Sequence, residues 1–245
     1  MNRIAIAIAS LTAVCTVNSL VAAPAEDGMA SDKAALAPLQ TFVGLWRGVG
    51  QPRRGSSQDA WTETADWSWK FTDGRATLVF ASPKGKFYRS GKLQPAGEKA
   101  TFELIAERAD DSGDDHFSGK LDDAGQLVLL AADDEKRPAE APARITIRTV
   151  ADGDRLLVLY EKRASGERYA RLAEVGATRV GAAFAKGSGE PECVVTGGVG
   201  TIAVEYQGKK YYVCCTGCRD LFNDDPEGVL AEYRERKAAE KAKEK

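Results

Sequence analysis

A single histidine stands in the whole chain of 245 residues, and of the two methionines one is the first residue. So little imidazole excludes most histidine-based catalysis and most histidine-ligated metal sites. Cysteine is missing from the long stretch between Cys15 and Cys193, so the middle of the chain must cohere through its core, with no disulfide staple. No Gly-rich phosphate loop and no serine elbow occurs. Neither sign of charge dominates: 34 basic against 36 acidic residues leave a formal net charge of −2, which gives nucleic acid no electrostatic footprint to bind. Beyond the N-terminus no apolar run approaches a membrane span. With no catalytic constellation in view, the sequence reads as that of a non-enzymatic protein.

What is present begins with a targeting pattern. Arg3 precedes an uncharged apolar stretch running to about Ala22, and Ala23-Pro24-Ala25 supplies an A-x-A cleavage site. Residues 1–25 are therefore expected to be a cleaved signal peptide, and the mature protein to be exported, periplasmic or secreted. The competing reading is an uncleaved anchor, against which Thr12, Thr16, Asn18 and Ser19 dilute the run. Residues 26–39, small and polar, read as a flexible lead-in.

From Leu39 the texture changes. Trp61, Trp67, Trp69 and Phe71 share one parity, while Thr62, Thr64, Asp66, Ser68 and Lys70 hold the other. A period of two marks a strand with one buried face. Further short strands are expected at 75–81, 86–93, 100–107, 116–121, 126–131, 143–150, 155–162 and 168–175. They are separated by turn signals such as Thr72-Asp73-Gly74 and Asp152-Gly153-Asp154. About ten short strands at this spacing argue for an up-and-down barrel or a sandwich. Phe42-Val43-Gly44-Leu45-Trp46-Arg47-Gly48 resembles the Gly-x-Trp entry strand of lipocalin-like barrels. The expected fold is thus mainly β, with a lipocalin-like antiparallel barrel over residues 40–175. His116, with Asp110, Asp111, Asp114 and Asp115, reads as a solvated acidic turn between strands. Gly176, Gly181, Gly187 and Gly189 mark a Gly/Ala linker, residues 176–191.

The chemistry lies beyond the linker. Cys193, Cys214, Cys215 and Cys218 all fall in the last quarter of the chain. A thiol precedes a hairpin that turns at Gln207-Gly208, and Cys214-Cys215-Thr216-Gly217-Cys218 forms a knuckle at its far end. The knuckle opens into a helical turn at Leu221-Phe222, and Asp225 then caps a second helix with Pro226 at its first position. The hairpin folds the chain back, so Cys193 can approach Cys214 and Cys218, and amides at the helix start favour thiolates. So small a module has little core, and a bound ion would supply much of its folding energy.

The spacing Cys193-x20-Cys214-x3-Cys218 resembles the TRASH domain and the related YHS domain. Tyr206-Gln207-Gly208-Lys209-Lys210-Tyr211-Tyr212-Val213-Cys214-Cys215 is similar to their Y-x-G-K-x-Y-x-F-C-C hairpin, and Phe222 with Asp225-Pro226 to their F-x-x-D-P ending. Val194 departs from the usual proline, and Thr196 stands where some relatives carry a further cysteine. The resemblance covers residues 192–230. It implies a treble-clef-like hairpin-plus-helix module that binds Zn or Cu, in proteins of metal trafficking, sensing or resistance. A closed zinc site wants four ligands, and the motif positions supply three. The fourth is Cys215 or an external donor, or the ion is one such as Cu(I) that accepts fewer thiolates. Two alternatives stay open on the residues alone: a Cys215–Cys218 disulfide, and ligation by Cys215 and Cys218 with Cys214 packed as a small hydrophobe. Residues 231–245 read as a solvated, charged helix end.

Two functions are therefore expected. The first is an exported metal-binding protein with no nucleic-acid partner and no membrane contact beyond its signal. The alternative places the working site in the barrel, which would hold a small apolar ligand or cofactor, with the cysteine module as an accessory.

Overall fold

The structure is a computed structural model; it describes residues 25–97, 100–132, 137–138, 140–166, 168–180 and 191–243. The expected signal peptide, but for Ala25, and most of the expected linker lie outside the described residues.

Ten strands close into an up-and-down antiparallel barrel. They are β1 (Gly44–Gln51), β2 (Trp61–Thr72), β3 (Arg75–Ala81), β4 (Tyr88–Pro95), β5 (Thr101–Arg108), β6 (Asp114–Leu121), β7 (Leu127–Ala131), β8 (Arg144–Val150), β9 (Arg155–Arg163) and β10 (Tyr169–Arg179). Each strand pairs with its sequence neighbour, and β1 closes the ring against both β2 and β10. The turns are as local chemistry dictates. Asp73 and Gly74, joining β2 to β3, both take positive φ (52° and 69°), the conformation that matches the twist of a two-residue hairpin. Closure leaves no free sheet edge among these strands.

Inward side chains fill the barrel. Trp46, Leu78, Leu93, Leu127 and Leu129 have no exposure, and Phe102 and Phe117 have 1%. Gly50 makes this possible on β1: a Cβ there would lie 2.1 Å from the Trp61 ring, so only glycine lets that indole lie across the strand.

Three expectations about the surroundings of the barrel are corrected. Residues 26–39 are not a flexible lead-in: α1 (Ala25–Leu36) and a 3-10 turn (Ala37–Phe42) cover one end of the barrel. Leu36, Leu39 and Phe42 are buried there, and Asp32 accepts two bonds from the Arg75 guanidinium (2.6 and 3.0 Å) and one from the Ala76 amide (3.1 Å). Residues 176–179 are not linker but the end of β10, where Gly176 and Ala177 pair with Val49 and Gly48. The closing strand needs a partner along its full length, and this outweighs the flexibility of one glycine. The acidic turn near His116 is only partly solvated. Asp115 is 3% exposed and bonds Tyr88 Oη (2.7 Å), Arg108 and Arg137. Alternation along β6 points it inward, where a carboxylate needs such partners.

After the linker, β11 (Ile202–Tyr206) and β12 (Lys209–Val213) form the expected hairpin, with Gln207 and Gly208 at positive φ. Helices α2 (Thr216–Asp224) and α3 (Pro226–Lys243) follow. Asp225 Oδ1 accepts the Gly228 amide at 2.9 Å, the cap expected from the sequence. Among the described residues, no helix is long and apolar enough to cross a membrane.

Candidate metal centre

The first thiol sits on a tight loop. The Cys193 amide donates to the Gly198 carbonyl (2.6 Å), and the Gly197 amide donates back to the Cys193 carbonyl (2.8 Å). The second and third lie where β12 runs into α2. The sulfurs of Cys193, Cys214 and Cys218 come within 4.8 Å of one another, with Cys214 Sγ to Cys218 Sγ at 3.5 Å. Thr196 Oγ1 lies 3.6 Å from Cys214 Sγ. Cys193, Cys214, Cys215 and Cys218 are free thiols in the structure, which has no Cys215–Cys218 disulfide.

Cys215 is placed differently. Its residue opens α2 with extended backbone (φ −156°, ψ 173°), and its sulfur accepts the backbone amide of Trp69 on β2 at 3.3 Å. It therefore contacts the barrel, and it stands beside the three-sulfur group, next to Cys214 and Cys218, without joining it. Beside it Gly217 meets the same strand. A Cβ on Gly217 would lie 1.7 Å from the Trp69 carbonyl oxygen. The N-terminus of α2 thus docks on β2 through backbone-to-backbone contact that admits no side chain.

Sulfurs this close share their protons. Hydrogen bonds from Cys214 and Cys218 hold the Cys193 thiol far below its usual range, and the same two partners hold Cys215 low. The protons stay on Cys214 and Cys218: bonding to Cys193 pushes both thiols up, with burial adding to the effect. A cation bound by the cluster would displace these protons and take over the role of neutralising buried thiolates.

Helix α3, expected as a solvated end, supports the loop of the first cysteine. The Arg236 guanidinium donates to the carbonyls of Cys193 (3.2 Å), Val194 (3.2 Å) and Val195 (3.4 Å), and to the Glu192 carboxylate (3.2 Å). Lys237 also pairs with Glu192 at 3.1 Å. These partners were missed because a basic residue in a charged helix carries no sign of which carbonyl it will reach. Trp69 was read as a core residue of the barrel, and nothing in its sequence context connects its amide to a thiol 146 positions away.

The barrel interior holds a cavity of about 40 Å³, lined by Trp67, Glu63, Ser82, Tyr88 and Tyr160 among others. That is room for water-sized occupants, against roughly 300 Å³ or more for ordinary small-molecule pockets. Burial pushes up the Glu63 carboxyl in this wall, although Trp61 Nε1 donates to it at 2.6 Å. A larger cleft, about 770 Å³, lies outside the barrel. It runs between the barrel's α1 end and the cysteine module, and Cys214 and Cys215 line it.

No family model matches the chain, and no curated protein matches it. Among solved structures, Rv2717c from M. tuberculosis aligns over 59% of this chain and 96% of its own length, at 18% identity with a TM-score of 0.39.

Proposed function

We propose that the chain is an exported metal-binding protein that holds a thiophilic ion, Zn or Cu, through Cys193, Cys214 and Cys218, in metal trafficking, sensing or resistance. The observation that carries this reading is the convergence of three sulfurs to within 4.8 Å, from a loop and a helix start that are separated by a hairpin. Thiolates select thiophilic ions, and imidazole or carboxylate is not needed for affinity. The TRASH/YHS resemblance of residues 192–230 supports the same reading, and the leader pattern in residues 1–25 supports export. Cys214 is half-buried while Cys193 and Cys218 have no exposure, so the ion would sit under the surface with one ligand near solvent. That arrangement suits exchange better than a closed structural site does.

The test is metal analysis of the full chain purified under reducing conditions, with Cys193→Ser as the comparison. One equivalent of a thiophilic metal in the wild type, lost in the variant, is the expected result. Absence of stoichiometric metal in the wild type would overturn the reading.

A further inference from the structure

Two of the three sulfurs have no contact with solvent, so an ion must reach them through the third. Cys193 and Cys218 are 0% exposed, whereas Cys214 opens on the cleft between the module and the barrel. The opposite wall of that cleft belongs to the barrel. Leu45 on β1 and Asp66 on β2 are register partners there, and Asp152 and Asp154 stand in the turn between β8 and β9. Three carboxylates thus face the cleft, together with one cation, Arg179. The Arg179 guanidinium is engaged with the carbonyls of Thr41, Val43 and Gly153 and lies over the Trp46 ring. Asp152 and Asp154 have contacts of their own. Asp66 has neither a hydrogen bond nor an ion pair among the described residues, and its side chain is exposed to the cleft. Burial and then the like charge of the nearby Cys215 push its carboxyl up.

An unpaired carboxylate on the barrel and a thiol on the module therefore face one space, with the buried Cys193 and Cys218 beyond that thiol. We propose, on the basis of the metal-binding reading above, that this cleft is the loading route for a hydrated divalent cation, with Asp66 as the oxygen donor that captures it and passes it to Cys214. Zinc-class ions accept carboxylate oxygen and thiolate sulfur alike, while Cu(I) gains little from a carboxylate. The mixed donor set thus selects a borderline divalent ion as the cargo. In the transfer, the Asp66 oxygen–metal contact is replaced by a bond to Cys214 Sγ, whose proton leaves to water. Bonds to Cys193 and Cys218 would follow, each displacing a water of the ion's hydration shell, with loss of any thiol proton still present. No electrons are exchanged.

The experiment uses the full-length reduced protein and rapid-mixing kinetics. The probes are Zn²⁺ alone and Cu(I) presented as an anionic chelate, on wild type, Asp66→Asn, Asp66→Glu, Leu45→Arg and Cys193→Ser. Asp66→Asn is expected to lower the Zn²⁺ association rate about 3- to 10-fold, as befits loss of one focusing charge in a cleft, while binding stoichiometry stays at the wild-type value. Leu45→Arg adds a positive charge to the same wall and lowers the rate further, and Asp66→Glu restores it. Uptake from the anionic Cu(I) chelate is unchanged or faster in Asp66→Asn. An unaltered Zn²⁺ rate in Asp66→Asn, or equal slowing for both metal forms, overturns the proposal. Wild type that binds and Cys193→Ser that does not, alongside a wild-type rate in Asp66→Asn, sinks the route and leaves the metal site standing. Failure of the wild type to bind any ion sinks the site itself.

Discussion

At the scale of single residues, the cysteines divide into three that converge and one that docks. Cys193, Cys214 and Cys218 share one small space, while the Cys215 sulfur, beside Cys214 and Cys218, also accepts the Trp69 amide. Cys215→Ser is therefore expected to keep most of the metal affinity, because a hydroxyl can accept the same amide bond. Cys214→Ser and Cys218→Ser each remove a thiolate and should lose it. Titration of the four single variants with a thiophilic metal checks this assignment. Loss of binding in Cys215→Ser with a silent Cys214→Ser would reverse it. Cys214 and Cys218, which keep their protons, would have to shed them to bind an ion, so affinity should weaken as pH falls.

At the scale of elements, the contact between β2 and the start of α2 is among the least tolerant of the described residues. Gly217 has no room for a methyl group against the Trp69 carbonyl. Gly217→Ala is expected to cost about 1–3 kcal/mol in denaturant unfolding, the range for overpacking a tight contact. If the variant is as stable as wild type, the docking is looser than its geometry. The charged lock at the other end of the barrel behaves differently. Burial pushes the Asp115 carboxyl up, but the bonds from Arg108, Arg137 and Tyr88 outweigh it and hold it below the usual carboxylate range. Asp32 is held low in the same way, burial being outweighed by Arg75 and the Ala76 amide. A carboxyl whose folded pKa is depressed contributes stability that is full above its unfolded value, near 3.9, and lost as pH falls through the folded one. Stability should therefore drop steeply below about pH 4. Asp115→Asn should flatten that acid limb and cost about 3 kcal/mol near neutrality, because Arg137 is left buried beside a neutral partner. Acid titrations of wild type and Asp115→Asn, followed by far-ultraviolet circular dichroism, compare the two limbs.

At the scale of the whole molecule, barrel and module share one core. A single apolar cluster runs from Leu36 and Trp46 through Trp69 to Cys215, Phe222 and Leu230. Lys33 on α1 also pairs with Glu232 on α3 at 2.5 Å. Unfolding of the reduced protein is expected to be one transition seen alike by tryptophan fluorescence and by far-ultraviolet signal. Zinc at about 100 times its dissociation constant should stabilise it by about 2.7 kcal/mol, which corresponds to a rise of roughly 5–10 °C in Tm for a chain of this size. A chelator should reverse the shift. Two separate transitions, with zinc moving only the smaller, would show that the module folds independently of the barrel.

Strand number, hairpin turns and the convergence of three cysteines were legible because each depends on neighbours in the chain. Period-two alternation places Trp67 and Trp69 inside whatever sheet forms, Asp73-Gly74 and Gln207-Gly208 accept the left-handed backbone their turns need, and a hairpin must bring Cys193 back toward Cys214. The helix that replaces the expected lead-in was not legible, since its small, polar residues gain helical order from burying Leu36 and Leu39 and from the Asp32–Arg75 pair. The role of Arg236, the commitment of Cys215 to Trp69 and the position of Asp66 across the cleft from Cys214 were equally hidden. Each relates residues far apart in sequence, and no local pattern encodes it. The sequence by itself determined the β architecture and the sulfur chemistry of the candidate site. Only the tertiary structure decided which thiol faces solvent and what the barrel contributes beside it, because those depend on how the closed surface of one part packs on the other.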